Sequence, residues 1–365
     1  MKKEKEKKKF KIKKKFIMLI ALLIVIVMLI NPVSSMIKLT MKGYSFMSSF
    51  KIYTMGETSR VLDSEYSKTL DKVIDTDFFD KKYVGNYLST DFYEYSDFLS
   101  NLKVWFDLGY VPNDVNVVNK RNDPELNKKI SEKYIKDITT YLGFNFFKVD
   151  KLDRYLKYFN GDYKDTIIKV NIGLDKAFYE DPEIITEYSP EVIVNKYNKL
   201  DSTFEPKKLV ELDRCSDGGH YLAEEAKIAY DKLCTASLKD GMKLGVTSSY
   251  RSYSSQENVY ATYLKSNGQE YVDQYVATPG YSEHQTGLAL DVKSTVSSPF
   301  KKTKEYTWMI NNAYKYGFIL RYPEEKDYIT GYSAEAWHFR YVGEEVSKYI
   351  HENNITYEEY YAMFM

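Results

Sequence analysis

The sequence is poor in the residues that usually build metal sites, with four histidines and two cysteines among 365 residues. Two cysteines, Cys215 and Cys234, exclude a disulfide framework, and the Cys-x-x-Cys spacing of structural zinc sites is absent. The pair either forms one disulfide in an exported chain or remains two thiols, with Cys234 on a helix face. The His-Glu-x-x-His signature of many metallopeptidases is missing too, because His351-Glu352 continues into Asn-Asn-Ile. Net charge is also lacking, with 52 basic residues against 52 acidic. That zero hides an uneven layout. Residues 2–15, KKEKEKKKFKIKKK, carry ten Lys and two Glu, so 42 basic residues face 50 acidic ones in the remainder. A mildly acidic bulk argues against nucleic acid as a partner. No low-complexity tract and no repeat is visible over residues 36–190.

What is present begins with the one long apolar run, FIMLIALLIVIVMLI, Phe16–Ile30. Its fifteen residues fall between a signal-peptide core and a full span, for which about 20 is usual. Val33-Ser34-Ser35 is a poor match to a cleavage site, so an uncleaved anchor over residues 16–33 is expected in preference to a cleaved signal. The basic residues 1–15 would stay in the cytoplasm and the rest would lie outside, on a single-pass cell-membrane protein. Tyrosine is abundant, at 36 residues, which suits a sugar-binding surface less well than a compositional habit.

Beyond the anchor, residues 34–190 read as a mostly helical extracellular region of unknown role. Segments such as SEYSKTLDKVIDTDFF and NKKISEKYIKDITTYLGF space apolar residues as helices do, whereas TIIKVNIGL, Thr166–Leu174, is β-branched and reads as a strand. From about Val192 the texture changes. HYLAEEAKIAYDKLCTASLKDG predicts an amphipathic helix ending at Gly241, and MKLGVTSSYRS a strand running into a loop. SSQENVYATYLKSNG, QEYVDQYVA, KEYTWMINNAYKYG and GEEVSKYIHEN predict helices, and GLALDVKS, FILRYP and AWHFRYVG predict strands. Strands and helices without βαβ regularity predict an α+β domain over residues 191–355, with a small, largely antiparallel sheet flanked by helices.

Three stretches carry chemistry. In SEHQTGLALDV, Ser282–Val292, His284 and Asp291 frame an apolar run. Seven residues span roughly 23 Å when extended, so the two converge only if the chain folds back, as Gly287 would permit. The geometry allows a shared metal without requiring one. In ITGYSAEAWHFRYVG, Ile329–Gly343, Glu335 and His338 are three apart. They would face opposite sides of a regular strand, so Glu335 is expected in the loop leading to His338. Two His and one carboxylate leave a fourth zinc position open, and a neighbouring Glu can act as base toward water. In SSYRSYSSQ, Ser248–Gln256, Arg251 is either a solvated charge or a fixed fork for a carboxylate or oxyanion. Singly, each has an ordinary structural reading. His220 and His351 lack any such context.

SSYRS, SEHQTGLALDV and YSAEAWHFRYVG, in this order, resemble the VanY-type D-alanyl-D-alanine carboxypeptidases, zinc peptidases related to the D-Ala-D-Ala dipeptidases. VNKYNKL, EPKKLVEL and YGFILRYPEEKDYITGY add to the likeness, which covers about residues 191–350. The resemblance implies one Zn2+ held by His284, Asp291 and His338, with Glu335 as the base that activates water and then protonates the leaving amine. It implies Arg251 for the oxyanion or substrate carboxylate, and Ser282 and Gln256 in the substrate pocket. The family often has Pro where this chain has Ala336. The implied activity is removal of the terminal D-alanine from peptidoglycan stem peptides ending in D-Ala-D-Ala. An L,D-carboxypeptidase or endopeptidase on the same stems is the alternative, and a silent wall-binding or sensor module is the alternative of another class.

Overall fold

Short helices dominate the first half of the molecule because its sequence supplies caps faster than it supplies long apolar stripes. In this computed structural model, which describes residues 2–297 and 299–365, the chain divides into two compact units, residues 1–150 and 151–365. In the first, Ser45, Ser67 and Asp123 each accept a hydrogen bond from a backbone N–H of the following first turn, and Pro124 sits where no donor is needed. One helix, Lys2–Met41, runs through the expected anchor. The side chains of residues 25–29, inside that segment, lie outside the described residues, and among the described residues no helix is long and apolar enough to cross a membrane.

The first unit contains a recurrence that the sequence conceals. The Tyr44 hydroxyl accepts from the Ser67 N–H at 3.1 Å, and the Tyr44 and Tyr66 rings lie 5.1 Å apart. The same interlock returns at Tyr110, which accepts from the Ile135 N–H at 2.8 Å with Tyr134 at 5.0 Å, and donates to the Lys133 carbonyl. Buried tyrosines, Tyr44, Tyr87 and Tyr110 among them, thus tie short helices together. This gives part of the high tyrosine content a structural role that composition did not suggest.

In the second unit, Thr166–Leu174 is not a strand. Tyr163–Asn171 is a helix, capped by Asp162 on the Asp165 N–H, and Thr166, Ile167 and Val170 form its buried face. The cap and the three-to-four spacing outweigh β-branched propensity. Two small pairs of strands follow: β1 (Glu183–Ile185) parallel to β2 (Asn198–Leu200), and β3 (Leu209–Glu211) antiparallel to β4 (Tyr221–Ala223). The main sheet is antiparallel, of β5 (Leu244–Ser248), β6 (Ala289–Ser294), β7 (Phe318–Tyr322) and β8 (Glu335–Tyr341), in the order β5-β6-β8-β7. The α+β expectation with a small antiparallel sheet holds for this unit.

Strand alternation sorts the sheet into two faces. Leu288, Leu290, Val292, Phe318 and Phe339 pack with Leu233 and Tyr230 of the helix Glu224–Lys239 to form the core. The intervening residues, Asp291, His338, Arg340 and Arg321, belong to the other face. Cys215 and Cys234 form a disulfide, which resolves the two open readings of that pair and ties the buried face of this helix to the loop after β3.

Candidate active site

His284 and Asp291 converge through a tight reversal. Residues Glu283–Thr286 form one 3-10 turn, closed by Gly287 at φ +70°. A Cβ on Gly287 would sit 3.1 Å from the Ala223 nitrogen, whose N–H donates to the Gly287 carbonyl at 2.8 Å, so this corner accepts only glycine. The β6–β8 register then places Asp291 directly across from His338. As a result, ligand atoms of His284, Asp291 and His338 lie within 4.8 Å of one another, the one such group of His, Cys, Asp or Glu among the described residues.

Each imidazole is turned by its outer nitrogen. His284 Nδ1 lies 2.8 Å from the Ser249 carbonyl, which leaves Nε2 facing Asp291 Oδ2 at 3.5 Å. His338 Nε2 lies 3.3 Å from Glu283 Oε2, which leaves Nδ1 facing Asp291 Oδ1 at 3.2 Å. Asp291 Oδ1 is buried without a well-formed hydrogen bond. An orphaned carboxylate oxygen facing two oriented imidazoles fits a divalent cation of borderline softness, zinc above all.

The electrostatics agree. Burial alone would raise the Asp291 carboxyl, but the two imidazoles hold it well below the usual range. Burial lowers His338, yet the close carboxylates of Asp291 and Glu283 outweigh it and carry the imidazole up to about 10. The pocket therefore draws positive charge to the position where a metal would replace a proton.

Glu335 is placed differently from the expectation. It is the first residue of β8, not part of a loop, and it reaches the side of His338 because the β7–β8 register shifts between Leu320 and Tyr322. The bulge cancels the alternation that would have separated them. Glu335 Oε2 lies 3.6 Å from His338 Nδ1, and burial pushes its carboxyl up to about 7, a range suited to proton exchange near neutral pH.

Arg251 follows an irregularity between β5 and β6 that turns SSYRS toward the site. Its backbone N–H donates to the His284 carbonyl, while its guanidinium donates to Gln256 Oε1 at 2.7 Å and Ser248 Oγ at 2.8 Å. Gln256 is buried and its amide also donates to the Ala277 carbonyl, so it braces Arg251 as well as lining the cavity. Arg251, Gln256, Ser282, His284, Asp291, Glu335 and His338 all border one cavity of about 290 Å³. Tyr322, Tyr332 and half-exposed Trp337 form part of its wall.

Sequence reasoning missed the layer beneath. Glu283 Oε1 accepts from Arg321 Nε at 2.8 Å and from an Arg340 terminal nitrogen at 3.0 Å, and all three side chains are fully buried. The signal was an arginine inside each of two apolar strands, FILRY and HFRYV, because such a charge needs a buried partner.

Residues 219–344 match the family described as VanY, D-alanyl-D-alanine carboxypeptidase. A putative carboxypeptidase, YodJ of Bacillus subtilis, is 39% identical over 46% of this chain and 66% of its own length. The bifunctional D-Ala-D-Ala dipeptidase and carboxypeptidase VanXYC of Enterococcus gallinarum is 38% identical over 46% of this chain and 92% of that protein. Among solved structures, the vancomycin-resistance D,D-pentapeptidase VanY in complex with Zn(II) is 31% identical over 47% of this chain and 98% of that one, with a TM-score of 0.43. The LdcB LD-carboxypeptidase is 38% identical over 50% and 91%, with a TM-score of 0.47. A 38% identical match that covers 92% of one curated relative, together with the family match over residues 219–344, establishes that the chain belongs to the VanY family of D-alanyl-D-alanine carboxypeptidases.

Proposed function

We propose that this protein is a membrane-anchored zinc carboxypeptidase that removes the terminal D-alanine from peptidoglycan stem peptides. The observation that carries the reading is the buried Asp291 Oδ1, which lacks a well-formed hydrogen bond, faces His338 Nδ1 and lies beside His284 Nε2. His284, Asp291 and His338 would hold the metal, which when bound supplies Lewis acidity toward a carbonyl oxygen and lowers the pKa of water toward ~7. The protein's own groups do the rest. Glu335 takes a proton from the attacking water and returns it to the departing D-alanine amine, a role that suits a carboxyl near 7. Arg251, braced by Gln256 and Ser248, offers a fixed guanidinium to the developing oxyanion or the substrate carboxylate. Ser282 and the aromatic wall shape the cavity around the peptide end.

Export has its own support. The Cys215–Cys234 disulfide suits an oxidising compartment, and the Lys-rich residues 2–15 before an apolar run suit a cytoplasmic tail on an anchor. The test is D-alanine release by the purified full-length chain from stem pentapeptide and tetrapeptide, with and without a chelator. Chelator-sensitive release from the pentapeptide is expected. Release from the tetrapeptide alone would make the enzyme an L,D-carboxypeptidase, and no release from either would overturn the catalytic reading. A mature chain found free in the medium, beginning near Ser35 or Met36, would overturn the anchor alone.

A further inference from the structure

The geometry points to Glu358, in the C-terminal helix Tyr357–Phe364, as a positioning residue for the metal ligand His338, acting through Arg321 and Glu283. The inference rests on the zinc reading of the site. Glu358 lies beyond residues 219–344, the part matched by the family, and touches no residue of the metal cluster. It is nonetheless fully buried, and its two carboxylate oxygens accept from the two terminal nitrogens of Arg321, at 2.8 Å and 2.6 Å. The Arg321 Nε donates to Glu283 Oε1 at 2.8 Å. Arg340 donates to that same oxygen and to the carbonyls of Val192, Pro190 and Tyr341. Glu283 Oε1 is thus held from two sides, and Oε2 is left for His338 Nε2.

This division of labour depends on Glu358. Two arginines and two glutamates make the buried quartet neutral, so a metal site beside it meets no net charge from below. Removing Glu358 releases both terminal nitrogens of Arg321, and the nearest remaining carboxylate in the quartet is Glu283. A guanidinium with two free donors binds a carboxylate in bidentate fashion. It therefore competes with His338 for Glu283 Oε2. His338 then loses the acceptor that fixes its ring, and the quartet gains a positive charge facing the cation. Loss of such an orienting partner typically weakens metal affinity by about 10- to 100-fold.

The experiment is zinc affinity by chelator competition on the purified full-length chain, for the unaltered protein, Glu358→Met, and Glu358→Met combined with Arg321→Met. The single variant should bind zinc at least about tenfold more weakly. The double variant removes the released guanidinium and leaves Glu283 on Arg340, so its affinity should return to within about threefold of the unaltered chain, well inside the expected loss. In the zinc-loaded proteins, the His338 Nε2–H proton resonance should be lost or shifted in the single variant and recovered in the double. Unchanged affinity in Glu358→Met would overturn the inference. So would a double variant as weak as the single one, because Glu358 would then act only by packing its helix. If Glu358→Met fails to fold, the isosteric Glu358→Gln takes its place with the same expected direction. Absence of zinc binding by the unaltered protein would overturn the reading of the site itself, and this inference with it.

Discussion

The first unit and the layer beneath the active site treat charge in opposite ways. In residues 1–150 ion pairs such as Lys51–Asp75, Lys68–Glu94 and Lys82–Asp107 sit in solvent, with side chains between 37% and 79% exposed. Under the active site, Glu283, Arg321, Arg340 and Glu358 are at most 1% exposed. An exposed pair contributes about 0–1 kcal/mol, whereas a buried one is tolerable only when every donor and acceptor is matched. The first unit keeps its buried polar precision in neutral tyrosine hydroxyls such as Tyr44 and Tyr110, and the layer beneath the active site keeps it in full charges. The lesson is that buried charge here marks a position to be held, and exposed charge marks a surface to be wetted.

The sharpest break in that comparison comes at the metal ligands. Replacing His284, Asp291 or His338 by Ala should abolish tight zinc binding and, with it, release of D-alanine. Elemental analysis showing a full complement of zinc in His338→Ala would move the site elsewhere. Next in size is Glu335→Gln, which keeps shape but cannot accept a proton. It should retain zinc and still bind a D-Ala-D-Ala-ended pentapeptide, yet release D-alanine at least ~100-fold more slowly. Near-normal release would remove Glu335 from the base role, and loss of zinc would make it a ligand.

A third expectation uses pH. In the zinc-free chain the Glu335 carboxyl is pushed up to about 7 from an ordinary 4.5, so the folded state holds its proton more tightly than the unfolded one. Its contribution to stability is complete below the unfolded value and is lost as pH rises through the folded value. Thermal unfolding of the zinc-free protein between pH 4.5 and 7 should therefore show a decline in stability that is flatter in Glu335→Gln. An identical decline in both proteins would assign the titration to another group. The smallest effects belong to the first unit. Tyr110→Phe strands the buried Ile135 N–H and should cost about 1–3 kcal/mol. Lys68→Ala, at an exposed pair, should stay within about 0.5 kcal/mol. A reversal of that order in denaturant unfolding would end the contrast between the units.

How far the sequence could be read follows from distance along the chain. His284, Asp291, Glu335 and His338 were legible because each motif is local and its spacing is chemically restrictive. Period-two alternation predicts a loop at Glu335, and the irregularity that keeps it in the strand arises only from the β7–β8 pairing. The Arg321–Glu358 pair is not legible in the sequence, since its partners are 37 residues apart and Glu358 belongs to no motif of the site. Thr166–Leu174 was misread where local propensity and the Asp162 cap disagreed. The tyrosine interlocks are hard to read from sequence because their shared signal is short, a Gly-Tyr pair followed by Ser-Glu ahead of the second tyrosine, and the spacing between the two tyrosines changes from one to the next.

The position of β8 has a consequence for how the molecule is made. It is the last strand in sequence, yet it lies between β6 and β7 in the sheet. Until residues 335–341 are available, both neighbours present unpaired edges on the sides that β8 will occupy. Such edges are templates for pairing between chains. A chain stalled or truncated before Glu335 is therefore an aggregation hazard before it is an inactive enzyme. His338 arrives with that same closing strand, so the proposed metal site is complete only once the sheet has closed. Strand insertion between distant segments is slow, and metal uptake during refolding should keep time with it.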